Sequence, residues 1–299
     1  MSSSGKKYSD YSEVVGRRGV AIRLGPMRMT IIAERRGTPL INEAKRGAHI
    51  AVKLLEIAAR YKNLLAKNVL QIQHVNSLPK VVKECISACR LVQDRTLTPM
   101  AAIAGSIADI VADVMVEAGA TKVVVDNGGE IAIRLEEGEY VRVGIVPTTA
   151  GICTHVIEVT ADSGIGGIAT SGFGGRGFTK GIASAATTLA KRASLADAAA
   201  TVVGNATFSK GVKAICGPAR LLDPASDIRE HQVVLKVSEI PRSSAIGAIK
   251  NGLKAAKKLI EAGVLKGSII VVNEYSGMIP EDLPIRPVTK YLLGVPAQG

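Results

Sequence analysis

The sequence has no tryptophan, and aromatic residues fill only 3% of its 299 positions. A platform that stacks single-stranded nucleic acid needs aromatic faces, so that class is disfavoured. There are four cysteines, at 85, 89, 153 and 216, too few for a disulfide framework in a chain of this length. No uncharged apolar run reaches the roughly 18–20 residues that a membrane-spanning helix needs. The most apolar stretch, 100–116, carries Asp109 and Asp113. The amino terminus is polar, with Lys6 and Lys7 and no apolar segment, which argues against a secretory signal. These absences lead us to expect a cytoplasmic protein without membrane attachment.

What is present is apolar bulk and uneven charge. Hydrophobic residues make up 47% and charged residues 21%, enough to bury a sizeable core. Residues 1–100 hold 18 Lys/Arg against 7 Asp/Glu, while the remainder holds 20 against 19, so almost all of the net +12 lies in the first third. Such a bias attracts phosphates or acidic partners, and it also describes a solvated basic helix face. Without interleaved aromatics or zinc-finger spacing, it does not point to nucleic acid as the partner. The charge shift suggests a basic hairpin-plus-helix subdomain over 1–95 and a core over 96–299; the alternative is a single domain 1–299.

The pattern predicts a hairpin from Val20–Leu24 and Met27–Ala33 around Gly25-Pro26. Helical apolar spacing follows over 42–66 and again after Pro79, where Val82, Ile86 and Cys89 share a side. Thr98-Pro99 looks like an N-cap and first position of a helix running to about Gly119. Asp109, Asp113 and Glu117 lie opposite its isoleucine stripe and read as a solvated face. Strands are expected at 122–126, 131–134, 140–146, 155–160, 231–237 and 268–272, with a helix over 243–263. Helices and strands come in blocks, which favours α+β over a doubly wound sheet.

Three short segments could carry chemistry. The glycine-dense run from Gly164 to Gly177 includes Thr170, Ser171, Gly172 and Arg176. Its backbone and side-chain donors suit phosphate oxygens, although a glycine-bulged hairpin explains it equally. Asn127-Gly128-Gly129-Glu130 is a strong hairpin-turn signal that could also press its backbone on a ligand. In Ser194-Leu-Ala-Asp197-Ala-Ala-Ala-Thr201, Asp197 and Thr201 are four apart on one helical face, with Ser194 placed to cap the helix. A carboxylate and a hydroxyl suit Mg2+; an acidic residue near a helix start is also explained by the dipole. Cys85 and Cys89 read as buried small hydrophobes, and Cys153 with His155 as strand packing.

The order Asn127-Gly-Gly-Glu130, Ala169-Thr-Ser-Gly172, Ala185-Ala-Thr-Thr-Leu-Ala190, Ala196-Asp-Ala-Ala-Ala-Thr201 resembles the ApbE family of flavin transferases. With Thr98-Pro-Met-Ala-Ala-Ile-Ala-Gly105 and Gly167-Ile-Ala-Thr-Ser-Gly172, it is similar to an uncharacterised intracellular ApbE-like branch. The resemblance implies an ApbE-like α+β fold, a mixed or antiparallel sheet with packed helices. It also implies FAD or a related dinucleotide bound with Mg2+, and either FAD cleavage or FMN transfer to a hydroxyl of an acceptor flavoprotein. Asp197 and Thr201 would then be metal ligands. Gly128, Gly129, Thr170 and Ser171 would lie against the dinucleotide, with Asn127, Gly172 and Arg176 nearby and Thr98 at a phosphate-receiving helix start.

The transferases carry a His-x-x-Asp-Pro segment after Thr-Ser-Gly. Residues 173–184 contain neither His nor Asp. A general base is therefore missing where the family has one. The alternative is a non-catalytic flavin- or nucleotide-binding or assembly protein. A homo-oligomer is compatible with either reading.

Overall fold

A computed structural model describes residues 12–148, 150–175, 177–224, 226 and 228–288. In chain order these form β1 (Ser12–Val15), β2 (Gly19–Leu24), β3 (Met27–Arg35), β4 (Thr38–Pro39), α1 (Ile41–Arg60), α2 (Lys62–Leu65) and α3 (Lys80–Val92). Next come α4 (Ile103–Glu117), β5 (Lys122–Asp126), β6 (Ile131–Leu135), β7 (Tyr140–Ile145), β8 (His155–Thr160), β9 (Gly167–Ser171), β10 (Ala185–Ala190) and α5 (Ala193–Ala206). The chain continues with β11 (Ala214–Pro218), β12 (Gln232–Val237), α6 (Arg242–Glu261), β13 (Gly267–Val272), β14 (Tyr275–Ile279) and β15 (Ile285–Pro287).

Ten strands make one antiparallel sheet in the order β1-β2-β3-β5-β6-β9-β10-β13-β14, with β4 paired to β3. Strands from both sides of residue 95 share it, because Thr30–Glu34 of β3 pairs with Lys122–Asp126 of β5. A three-stranded sheet, β7-β8-β15, covers part of one face, and β11-β12 forms a separate ribbon. The resulting order is helices, large sheet, small sheet. Side chains at the centre alternate between two cores: Ala186, Ala190, Ile270 and Val272 face the helices, whereas Ala185, Leu189, Ile269 and Val271 face the small sheet. Burial on both faces explains why β13 reads as the continuous apolar run Ile269–Val272, and why β10 shows no alternation of buried and exposed positions. The α+β class expected from the sequence is present.

Several local expectations are corrected. Thr98 and Pro99 do take the N-cap and first positions, but of a 3-10 turn, Pro99–Ala102, with no side-chain capping bond, and the α-helix starts at Ile103. Ser194 is the second residue of α5 and makes no cap. Asp109 is not a solvated side chain but wholly buried, and Asp113 is partly buried, whereas Glu117 is exposed. Residues 167–171 of the glycine-dense run are not a ligand loop but the central strand β9, paired on both edges with β6 and β10. The Pro99–Glu117 stretch is long and apolar enough to cross a membrane by composition, and it is mostly buried inside the fold.

Candidate functional site

The two helices α4 and α5 cap one another. Asp109 of α4 accepts the first two N–H groups of α5, Ala193 N at 3.1 Å and Ser194 N at 2.9 Å. Asp197 of α5 accepts Gly105 N, at the start of α4, at 3.0 Å. Each carboxylate thus satisfies donors that its partner helix leaves open. The contact is close: a Cβ on Gly105 would overlap the Ala193 carbonyl, and one on Gly167 would overlap the Arg192–Ala193 peptide. Only glycine permits that backbone approach.

Asp109 also meets Arg134 Nη2 at 2.9 Å and Arg192 Nε at 3.4 Å, and both guanidiniums reach Asp113. Arg192 lies 3.8 Å from Glu84 Oε2, a buried oxygen without a hydrogen-bond partner. Burial pushes the Glu84 carboxyl above its ordinary range, against the opposing pull of Arg192. Arg134 and Arg192 had no visible role in the sequence, because their partners come from other elements.

The start of α4 also receives the Asn127 turn. Asn127, buried, donates from Nδ2 to Ala104 O at 3.1 Å, the carbonyl of the same peptide whose N–H Asp197 accepts. Gly128 and Gly129 take φ values of +83° and +111°, and Gly129 N donates to Asp126 Oδ1 at 2.8 Å. Two motifs separated by about 70 residues therefore bond the two ends of a single peptide group, the one that joins Ala104 to Gly105.

Thr201 Oγ1 lies 3.4 Å from Asp197 O, the back-bond of a helical hydroxyl to the preceding turn. Its donation leaves the hydroxyl lone pairs as acceptors. Thr201 lines a cavity of about 220 Å3 together with Thr96, Thr98, Lys180, Asn205 and His231, while Leu97, Met100, Phe178 and Val233 supply apolar wall. Asp197 stands one turn behind this cavity rather than in its lining. Lys180, Asn205 and His231 were not singled out in the sequence; only the fold brings them to Thr98 and Thr201.

Thr170 and Ser171 point to opposite faces of β9. Thr170 Oγ1 is 2.8 Å from Thr187 Oγ1 on the small-sheet side, and Ser171 Oγ faces Gly204 of α5. Neither lines the cavity, and neither does Gly172, where a Cβ would press on the Ala183 and Ser184 carbonyls. Arg176 lies outside the described residues. Among the described residues no group of three or more His, Cys, Asp or Glu side chains is placed to hold a metal. Cys85 and Cys89 are buried as expected, with desolvation pushing the Cys85 thiol up to about 12. Cys153 bonds the His155 carbonyl rather than its ring, and burial lowers the imidazole's pKa.

A sequence model of the family described as "AbpE bacteria" matches residues 13–279. The chain belongs to this ApbE-like family. Its relatives include a "UPF0280 protein" of Methanothrix thermoacetophila, 40% identical over 133 residues, which covers 44% of this chain and 54% of that one. Another, from Methanococcus aeolicus, is 30% identical over 188 residues, covering 62% and 73%. The chain thus spans about half the length of the first relative and nearly three quarters of the second. Among solved structures, a mutant of the flavin transferase ApbE from Vibrio cholerae aligns at 18% identity and a TM-score of 0.41, covering 62% of this chain and 85% of that one. The apo form of Pseudomonas stutzeri flavinyl transferase ApbE aligns at 14% and 0.39, covering 94% and 96%.

Proposed function

We propose that the protein binds FAD or a related dinucleotide with Mg2+ and acts on its pyrophosphate, cleaving FAD or passing FMN to a protein hydroxyl. The supporting observation is convergence: Asn127 and Asp197 bond the carbonyl and the N–H of one peptide, Ala104–Gly105, at the start of α4, while Thr98 and Thr201 line one cavity.

The donor chemistry fits the metal. Asp197 and Thr201 are partly exposed oxygen donors one helical turn apart. A carboxylate has about four lone-pair directions, so one bond from Gly105 N–H is compatible with coordination. Mg2+ is usually held by one or two carboxylates plus waters and substrate phosphates, which matches so sparse a set. When bound it would supply Lewis-acid polarisation of the pyrophosphate. The chain's own residues orient: Asp197 ties the start of α4 to α5, and the 127–129 turn closes the adjacent edge. The cavity volume is below the roughly 300–1,000 Å3 of pockets that enclose a whole drug-sized ligand. It would take one end of a dinucleotide, the rest lying over its mouth.

A second reading, a binding protein without turnover, is favoured by one specific observation. Residues 173–184 offer no His or Asp, and Asp197 already serves as a helix cap. Incubation with FAD and Mg2+, followed by chromatography for AMP and FMN, separates the two. Release of AMP that Asp197→Ala abolishes supports the enzyme. Tight FAD binding with no AMP selects the binding protein, and no flavin binding removes both.

A further inference from the structure

Among the described residues that line it, the cavity has two cationic or cation-forming side chains and no carboxylate. Among the described residues its lining contains Lys180 and His231 but no Asp or Glu. Neither side chain has an ion pair or side-chain hydrogen bond among the described residues. Elsewhere in the molecule inward cations are paired, as Arg134 and Arg192 are with Asp109 and Asp113. A half-buried lysine with no counter-ion, facing a concavity, lacks the partner that its desolvation calls for.

Both groups sit on fixed backbone. Lys180 N donates to Asn205 Oδ1 of α5 at 2.8 Å. His231 is held in a turn by His231 N to Ile228 O at 2.8 Å and Ala219 N to His231 O at 2.9 Å. The two supports are joined by Val234 N to Thr179 O at 2.9 Å, which ties the ribbon strand β12 to the segment carrying Lys180. Around them stand the hydroxyls of Thr96, Thr98 and Thr201 and the Asn205 amide. An ammonium, an imidazole N–H and several hydroxyls on rigid supports are the donors that phosphate oxygens take.

We propose that Lys180 and His231 form a phosphate-binding site that needs no metal and holds the phosphate or diphosphate end of a nucleotide. The proposal rests on the cavity identified above, but not on flavin being the ligand. It assigns the charge-bearing contacts to the loop that carries Lys180 and the turn that precedes β12, neither of which carries Asp197. Phosphate recognition is then separate from the metal oxygens.

Titration calorimetry of the full chain with inorganic pyrophosphate, in buffer containing EDTA, tests this. Wild type binds without metal. Lys180→Met and His231→Gln each weaken binding about tenfold or more, the loss of one charge-assisted or strong hydrogen bond. The exposed Lys250→Met on α6 leaves it within about twofold, and far-UV circular dichroism shows all three folded. Absent binding in EDTA, or variants at 180 and 231 that bind as wild type does, would overturn the proposal. Competition with FAD separates the two ideas: bound pyrophosphate that FAD fails to displace removes the flavin reading and leaves the phosphate site standing.

Discussion

Asp109 and Asp197 perform the same local task on opposite helices, yet their surroundings differ. Asp109 is fully buried between two guanidiniums and two N–H donors. Asp197 is partly exposed, accepts Gly105 N–H, and stands one turn from a hydroxyl that lines a cavity. A buried charge whose surroundings are saturated can only hold structure. A carboxylate at a wet edge does the same capping job and keeps acceptor capacity for a ligand. On the proposed function, the pair would separate an architectural acid from a ligand-binding one by environment rather than by residue type.

The largest break in this comparison is Asp109→Ala. It leaves Arg134 and Arg192 with less countercharge and strips the α5 start, at a cost of about 3–5 kcal/mol. A large fall in the urea midpoint, with ligand affinity lost only through unfolding, is the expected result. Gly167→Ala comes next: its Cβ meets the Arg192–Ala193 peptide. At least the roughly 1–3 kcal/mol of an overpacked core should be lost in thermal melts. Asp197→Ala inverts the balance, with a modest stability loss of about 0.5–2 kcal/mol for a missing cap but complete loss of Mg2+-dependent AMP release.

The smallest effect concerns Glu84. Burial raises its pKa in the folded state, so the folded protein binds more protons than the unfolded chain between the two values. Stability from this group therefore falls as pH rises through that window. Glu84→Gln should raise the urea midpoint slightly at pH 7, and the gain should shrink as pH falls below the ordinary glutamate range. An equal gain at both pH values would show that the carboxylate's burial is not the cause.

The sequence disclosed local order well. Met27–Ala33, the helix after Pro79 and strand 122–126 carry period and composition that tertiary context did not overturn. Its errors cluster where a partner comes from far along the chain. Thr98 and Ser194 carried cap signals, but the N–H groups of Gly105 and Ser194 are taken by Asp197 and Asp109, 92 and 85 residues away from them. Asp109 looked solvated because helical spacing shows only which residues share a face, not what covers it. The glycines at 166–167 looked like a loop, whereas they admit the backbone of α5 against a strand. Asp197 and Thr201 were legible because both lie on one helix. Lys180, Asn205 and His231 were not, because three separate elements bring them to one cavity.

The metal position carries the account. A crystal grown with FAD and Mn2+ in place of Mg2+ should show an anomalous peak at about 2.0–2.2 Å from an Asp197 carboxylate oxygen and the Thr201 hydroxyl. A peak bound elsewhere, or ordered FAD with no metal at those two oxygens, would contradict it.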